Sequence, residues 1–219
     1  MLLLNAGFLE QDVQVITHFI RAATEIGIPF NQDCNGVSQE GVGYFQQTAF
    51  NGFRWSSAKS FLRPAKHRSN LKILTNAQVT RLLMDGRKVT GLEYSRGGEI
   101  HPVNATAEVI LSAGTINTPH ILQCSGIGDP LVLEPAGVQT VHALPGVGKN
   151  LQDHLQIRLV FKTSERTLND ELNNPLKKLK VGIQYFFTRI RPLTLAASQV
   201  VIFTRSSASV DRPDIQFHM

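Results

Sequence analysis

Two stretches of the chain carry apolar residues at the three- and four-residue spacing of an amphipathic helix. The first covers residues 11–25 and stops at Gly27 and Pro29, residue types that commonly end helices. The second covers residues 170–190. Its apolar positions are Leu176, Leu179, Val181, Ile183 and Phe186. The pattern therefore predicts one helix near each end of the chain.

Between these helices the hydrophobic period changes along the chain. Residues 28–54 are rich in glycine and show no regular period, which predicts a long irregular segment of the kind that is often functional. Ser56 or Ser57 can then cap a short helix that runs to Ala65. Apolar and polar residues alternate at 78–84 and 88–94 around Asp85-Gly86, and Gly97-Gly98 precedes residues 99–103. These turn signals predict an antiparallel meander.

Other short apolar runs predict further strands at residues 71–75, 107–111 and 156–162, and near 199–204 and 213–218. The run at 107–111 is suited to burial on both faces of a sheet. It ends in Ser112-Ala113-Gly114, and Thr118-Pro119 predicts the start of a helix that reaches Cys124. A strand, a turn of small residues and a helix start allow a backbone to approach a phosphate or a ribose closely.

Composition limits the possible classes of protein. The chain has 219 residues, of which 42% are hydrophobic and 18% charged, so it can bury a core and is not disordered by composition. Its longest apolar runs, such as residues 200–203, are far shorter than the roughly 18 residues that a membrane span needs. Two cysteines, Cys34 and Cys124, fit neither a disulfide framework nor a zinc site, which predicts a reducing, cytoplasmic location.

The net charge of +5 raises the question of an anionic partner. The densest basic cluster is Lys177-Lys178-Lys180, which lies in the second predicted helix. A solvated helix face explains this cluster more simply than nucleic-acid binding, because no aromatic interleaving or RNA-binding motif accompanies it. A membrane surface is a further alternative to which we give little weight. We therefore predict no nucleic-acid partner and no membrane association.

Few local patterns point to catalysis. Residues 146–151 (GVGKNL) hold two of the three glycines of a dinucleotide-binding loop, with leucine in the third position, so the pattern does not predict a phosphate loop. Asp153-His154 is an adjacent carboxylate–histidine pair, yet the simpler interpretation is that both satisfy loop backbone groups. His218 lies too near the end of the sequence to be interpreted, and no metal site is predicted.

Several blocks in order resemble one enzyme family. Residues 114–128 (GTINTPHILQCSGIG) resemble the second signature of the glucose–methanol–choline (GMC) oxidoreductases, and residues 144–148 (LPGVG) and 150–154 (NLQDH) resemble the block that follows it. Upstream, residues 53–58 (FRWSSA), Phe61-Leu62 and Asn70-Leu71 resemble the segment before the family's adenine-side strand. The resemblance covers residues 28–219 and is nearest to the bacterial choline and alcohol dehydrogenase-like branch.

The resemblance implies a flavoprotein that oxidises an alcohol to an aldehyde or ketone by hydride transfer to FAD, with a small alcohol as substrate and an electron acceptor left open. It implies that Val79, in residues 76–79, contacts the adenine through its backbone, with Ala113 and Gly114 as further cofactor contacts. The implied fold is α/β plus α+β: residues 1–154 as a partial FAD-binding, Rossmann-like domain with an antiparallel meander, and residues 155–219 as part of a sheet-based substrate domain.

Two features of the family are not found in this sequence: the N-terminal glycine-rich unit that holds the FAD pyrophosphate, and the C-terminal histidine with its histidine or asparagine partner. The resemblance therefore implies an internal fragment, with the catalytic histidine pair expected beyond Met219. From this we expect a chain that folds poorly alone, binds FAD weakly or not at all, and shows no turnover. The alternative is a non-catalytic remnant or interaction module of the same fold.

Overall fold

The computed structural model describes residues 14–164, 174–189 and 198–219. In chain order, its helices and strands are α1 (Gln14–Glu25), β1 (Gly41–Tyr44), β2 (Ala49–Phe50), β3 (Phe53–Arg54), α2 (Arg63–Ala65), β4 (Gln78–Asp85), β5 (Lys88–Arg96), β6 (Glu99–Asn104), α3 (Gly114–Cys124), β7 (Ile127–Gly128), α4 (Pro130–Leu133), β8 (His142–Ala143), α5 (Pro175–Thr188), β9 (Val200–Thr204) and β10 (Ile215–His218). A π-helical turn, Ala58–Leu62, leads directly into α2.

The chain divides into two compact units. The first combines Met1–Arg68 with Val160–Met219, and the second is Ser69–Leu159. These two units are defined by contacts between residues of this chain. The predicted domains, residues 1–154 and 155–219, are defined instead by what each would bind, the cofactor or the substrate. That domain division stays a prediction.

The first unit is built on an antiparallel sheet. Its strands lie in the order β1-β9-β10, with Val42 opposite Ile202 and Phe217 opposite the same residue from the other side. The apolar side of α1 packs on this sheet, where Ala23 joins Val42 and Val200 in one buried cluster. The predicted strands near 199–204 and 213–218 are confirmed, as is the first predicted helix over its described residues, 14–25.

Helix α5 contacts the short β2–β3 hairpin of the same unit. The hydroxyl group of Tyr185 donates a hydrogen bond to the carbonyl oxygen of Gly52 at 3.0 Å. Arg189 ends the helix with its backbone in a left-handed conformation. Its guanidinium group lies 4.4 Å from the centre of the Phe53 ring. The second predicted helix is thus confirmed for residues 175–188, and residues 170–173 lie outside the described part of the chain.

The second unit contains the predicted meander. Strands β4, β5 and β6 pair antiparallel in that order, and Asp85 lies opposite Lys88 across a two-residue turn. Gly97 and Gly98 form the second turn with φ angles of +62° and +88°. On one side of this sheet, Leu82 forms a buried cluster with Ile121 of α3 and Ile127 of β7. The expected mixed fold with an antiparallel meander is confirmed.

Three predicted strands are wrong. Residues 71–75, 107–111 and 156–162 are irregular and pair with no described strand, and the side chain of Ile110 is 76% exposed. A strand exists only where a neighbour accepts its backbone hydrogen bonds, and an apolar run does not identify that neighbour.

The described helices also include none that is long and apolar enough to cross a membrane.

The predicted start of α3 is wrong as well. The helix begins at Gly114, four residues before Thr118, and Pro119 lies inside it. Gly114 has a φ of +90°, a conformation that glycine adopts without steric cost, and it turns the chain into the helix at that point. The hydroxyl oxygen of Thr118 accepts a hydrogen bond from the backbone N–H of Ala113 at 3.1 Å. Thr118 therefore stabilises the helix start from within the first turns.

Candidate functional site

The turn before α3 presents an open stretch of backbone. Ala113 and Gly114 are both exposed, and a Cβ atom added to Gly114 would meet no other atom within 4 Å. Small side chains and open space leave this turn accessible to a ligand, and the N–H of Ala113 is already bonded to Thr118. The structure thus places two of the three predicted cofactor residues side by side at the start of α3, an eleven-residue helix.

A loop at residues 144–152 lies along the same helix. The side-chain amide of Gln123 donates a hydrogen bond to the carbonyl oxygen of Val147 at 3.4 Å. Gly148 passes so close to α3 that an added Cβ atom would lie 2.8 Å from Nε2 of Gln123. Gly148 therefore serves the packing of the loop against α3, whereas a Cβ atom added to Gly146 would meet no other atom within 4 Å.

An ion pair holds the same loop on its other side. Nζ of Lys149 lies 2.6 Å from Oδ2 of Asp129, the residue that caps the short helix α4 through the backbone N–H of Leu131. The hydrogen bond from Lys149, aided by that of the Leu131 N–H, lowers the pKa of Asp129 below its usual value. The Asp129 side chain is nearly covered, whereas that of Lys149 is half exposed. The ion pair between them holds the loop in a defined position.

A cleft of about 580 Å³ opens between α3 and this loop. Its lining combines polar and apolar side chains from two short segments. The lining residues are Thr115, Ile116, Pro119, His120 and Gln123 of α3, and Gly148, Lys149, Asn150, Leu151 and Gln152 of the loop. Ala113 and Gly114 lie at the N-terminal end of α3, directly before the first residue that lines the cleft. The arrangement leaves room for a ligand along this side of α3.

Val79 lies elsewhere in the second unit. It is a half-buried residue of β4, opposite Tyr94 of β5, and it packs on the edge of the cluster around Leu82. Within the described sheet β4 is an edge strand, so its outer side presents backbone groups that no described strand pairs. Val79 does not line the cleft. The structure therefore brings Ala113 and Gly114 together and leaves Val79 on a separate strand that is packed against α3.

The carboxylate–histidine pair takes the structural role that the sequence favoured. Oδ1 of Asp153 accepts a hydrogen bond from the backbone N–H of His154 at 2.8 Å, so it satisfies a loop backbone group. At the end of the chain, the ring of His218 stacks on Phe45 with the ring centres 5.0 Å apart. Among the described residues no three histidine, cysteine or acidic side chains converge as a metal site, and Cys34 and Cys124 are free thiols.

Sequence reasoning missed the loop side of the cleft. It identified residues 114–128 and 144–154 as separate blocks, and of the cofactor contacts that it named (Val79, Ala113 and Gly114) none lies in the second block. One signal could have indicated that the two blocks are in contact: both belong to the same family resemblance, and they lie close together in the sequence. The side chain of Gln123 and the carbonyl of Val147 are the contact that joins them. Contact between a helix and a loop 24 residues further along cannot be read from the local hydrophobic period, so the sequence did not predict the cleft.

Comparison with known proteins gives consistent matches. A family model described as GMC oxidoreductase matches residues 4–156. Human mitochondrial choline dehydrogenase is 39% identical over 200 residues, which cover 91% of this chain and 34% of that protein. The alcohol dehydrogenase [acceptor] of Pseudomonas putida is 42% identical over 203 residues, covering 91% and 37%. The chain therefore spans about a third of the length of these relatives.

Solved structures match in the same way. An FAD-dependent oxidoreductase from Chaetomium thermophilum superposes with a TM-score of 0.74 at 25% identity, covering 88% of this chain and 35% of that one. A fungal aryl-alcohol oxidase gives a TM-score of 0.72 at 28% identity, covering 87% and 33%. The similarity thus includes the three-dimensional arrangement as well as the sequence.

Proposed function

Because the chain belongs to the GMC oxidoreductase family, we propose that the protein functions in the FAD-dependent oxidation of an alcohol to an aldehyde or ketone. The family and its solved members are FAD-dependent oxidoreductases of the fold class expected from the sequence. The observation that carries the proposal is the 39–42% identity, over 91% of this chain, to enzymes named as choline and alcohol dehydrogenases. These enzymes act on CH–OH donors.

The residues that would hold the cofactor are the three predicted ones. Two observations support this proposal: no described strand pairs with the outer edge of β4 at Val79, and the Ala113–Gly114 turn is exposed with room beside Gly114. A backbone N–H and C=O can bind an adenine edge without a special side chain. Small residues at the turn allow close approach of a ribose or a phosphate.

When bound, FAD supplies the acceptor for the hydride that leaves the alcohol carbon. The part of this chain is to bind and orient. The start of α3 directs its free N–H groups and the positive end of its dipole toward the turn at Ala113, where a negatively charged group is favoured. Lys149 lies beside the same helix in an ion pair with Asp129, which carries no net charge. The helix start is therefore the feature that favours an anionic cofactor over a neutral one.

The substrate we propose is a small alcohol of the choline or primary-alcohol class. The relatives differ in their named acceptors: one from Staphylococcus saprophyticus is called an oxygen-dependent choline dehydrogenase and the one from Pseudomonas putida an alcohol dehydrogenase [acceptor]. The proposal accordingly names the donor class and no acceptor. The cytoplasmic location stays a prediction that rests on the two unpaired cysteines.

The test is an FAD titration of the full chain, followed by the change in flavin fluorescence and checked by circular dichroism for folding. We expect weak, saturable binding that Gly114→Val abolishes, because a branched side chain fills the open space beside the turn. Gly137→Val is the matched control: its φ of +75° and its empty surroundings resemble those of Gly114, but it lies outside the proposed site.

A second pair of variants tests Val79. Val79→Ala keeps the backbone groups and should retain binding, whereas Val79→Pro removes the N–H and should weaken it.

Equal loss of binding in Gly114→Val and Gly137→Val would contradict the assignment of the turn. A folded chain that binds no FAD would favour the non-catalytic alternative.

A further inference from the structure

The side chain of Gln123 joins α3 to the loop at residues 144–152. Gln123 is the last residue but one of the helix, and its Cγ atom lies beside Gly128 of β7, where a Cβ atom added to the glycine would meet it at 3.4 Å. The side-chain amide then reaches the carbonyl oxygen of Val147. The stem of this half-buried side chain thus packs on β7, while its amide contacts the loop.

The loop has two further attachments, one on each side of Val147. At its start, the backbone N–H of Leu144 donates a hydrogen bond to the carbonyl oxygen of Gly128 at 2.8 Å. Two residues after Val147, Lys149 forms its ion pair with Asp129. The contact with Gln123 lies between these attachments, so it fixes the middle of the loop against the helix.

The approach of Gly148 shows how closely Gln123 fits the loop. A Cβ atom at position 148 would lie 2.8 Å from Nε2 of Gln123, closer than non-bonded atoms approach, so the amide would have to move away from Val147. Gly148 and Asn150 also have left-handed φ angles, +79° and +59°, so the loop is irregular and its position depends on side-chain contacts. The glycine at 148 and the amide at 123 are therefore complementary.

The loop and α3 form the two sides of the cleft. On the helix, the lining begins at Thr115, directly after the Ala113–Gly114 turn, and reaches Gln123. On the loop, it begins at Gly148, the residue that Gln123 contacts. The width of the cleft beside the turn thus depends on the contact between Gln123 and the loop.

We propose that Gln123 is a positioning residue of the cofactor site, which acts by holding the loop at residues 144–152 against α3. The inference rests on the proposed function and adds a residue to it. Gln123 needs no contact with FAD in this role, because it acts through the position of the loop. Its effect on FAD binding should correspond to one neutral hydrogen bond, about a three- to tenfold change in affinity.

The first variant is Gln123→Met, which removes the amide donor and keeps an unbranched side chain of similar length. The amides of Val147 and Lys149 are bonded within the loop to the carbonyl oxygens of Leu144 and Gly146, and their hydrogen exchange should become faster, while that of β5 stays unchanged. The dissociation constant for FAD should rise about three- to tenfold, measured well below the melting temperature. The visible circular dichroism of the bound flavin should change, because its surroundings shift.

The second variant is Gly148→Ala, which displaces the same amide from the other side. Gly137→Ala is its control, since its φ of +75° gives similar backbone strain with no atom close to the added Cβ. Because one contact is lost only once, Gln123→Met/Gly148→Ala should weaken FAD binding by less than the product of the two single losses. Gln184→Met, at an exposed glutamine of α5, is the control for Gln123→Met and should change neither hydrogen exchange in the loop nor FAD affinity.

Three results would overturn the proposal: unchanged hydrogen exchange in Gln123→Met, an equal effect of Gln184→Met, or faster exchange in the loop with unchanged FAD affinity. Failure of the proposed function looks different, because the unsubstituted chain then binds no FAD at all. In that case the cofactor role of Gln123 fails with it, and hydrogen exchange alone decides whether Gln123 holds the loop.

Discussion

Ser125 joins the C-terminal end of α3 to β4 through Leu82, which lies 43 residues earlier in the chain. Oγ of Ser125 accepts a hydrogen bond from the backbone N–H of Leu82 at 2.8 Å and donates one to the carbonyl oxygen of Ile121 at 2.6 Å. Ser125 is only 7% exposed, so water cannot replace these bonds. One hydroxyl group thus satisfies an edge-strand amide and a carbonyl of the last helical turn.

Removal of this hydroxyl group should destabilise the second unit. In Ser125→Ala the buried N–H of Leu82 loses its partner, and an unsatisfied buried donor costs about 1–3 kcal/mol. We expect the free energy of unfolding, measured by urea denaturation with far-ultraviolet circular dichroism, to fall by that amount. Ser207→Ala, at an exposed serine, should leave it unchanged. A Ser125→Ala variant as stable as the unsubstituted chain would show that the Leu82 amide finds another partner.

Gly126 and Gly137 form a matched pair for a second prediction. Both have left-handed φ angles, +79° and +75°, but a Cβ atom on Gly126 would lie 2.5 Å from the carbonyl oxygen of Gln139, whereas Gly137 has open space. Gly137→Ala should therefore cost about 1 kcal/mol, from backbone strain alone. Gly126→Ala should cost about 3 kcal/mol or more, because the backbone must also move. Equal melting temperatures for the two variants would refute the close approach.

The ion pair of Asp129 with Lys149 predicts a dependence of stability on pH. The hydrogen bond from Lys149 lowers the pKa of Asp129 in the folded chain, so its contribution is complete above the unfolded value of about 3.9. The contribution is lost as the pH falls through the lower, folded value. In melting curves recorded from about pH 6 to about pH 2, the difference between the unsubstituted chain and Asp129→Asn should therefore shrink at the acidic end.

Asp211→Asn is the control for this series, because Asp211 is exposed and forms no ion pair with a described residue. Its melting curve should follow that of the unsubstituted chain across the pH range. A constant difference between Asp129→Asn and the unsubstituted chain, down to the most acidic point, would argue against the ion pair as the cause.

The predicted strand at residues 107–111 can be tested by hydrogen exchange. The structure leaves this segment without a strand partner, with Ile110 largely exposed, whereas residues 88–96 lie at the centre of the meander. Amides of residues 107–111 should exchange faster than those of β5 by several orders of magnitude, since unpaired amides open without breaking a sheet. Strong protection of 107–111 would show that the segment pairs with another strand in solution.

Local sequence was sufficient where neighbours along the chain decide the structure. The hairpin at Gly86 and the turn at Gly97-Gly98 were predicted, because left-handed turn residues fix a two-residue connection whatever surrounds it. Helix α1 was predicted because one helix face carries all its core contacts. The start of α3 was missed, since the proline signal at Pro119 was taken as a boundary while Gly114 was the residue that turned the chain.

The candidate site was predictable only in part. The turn at Ala113 and Gly114 follows from its small residues, and its exposure in the structure agrees with that reasoning, while contact with FAD stays a proposal. The cleft was not predicted, because it forms where Gln123 meets Val147 and Gly148 across a separation that no local pattern reports. The contrast between Gly126 and Gly137 could not be foreseen either, since both are glycines in loops.

The sequence by itself determined the family of this protein, its meander and its amphipathic helices, since motif order, turn residues and hydrophobic period are properties of neighbouring residues. Only the tertiary structure decided which apolar runs became strands and which face of α5 was covered. Both depend on partners distant in the chain: Ile110 has no neighbouring strand, and the hairpin at Gly52 holds Tyr185 and leaves Phe186 exposed. Apolar side chains favour burial, and tertiary contacts decide where burial occurs.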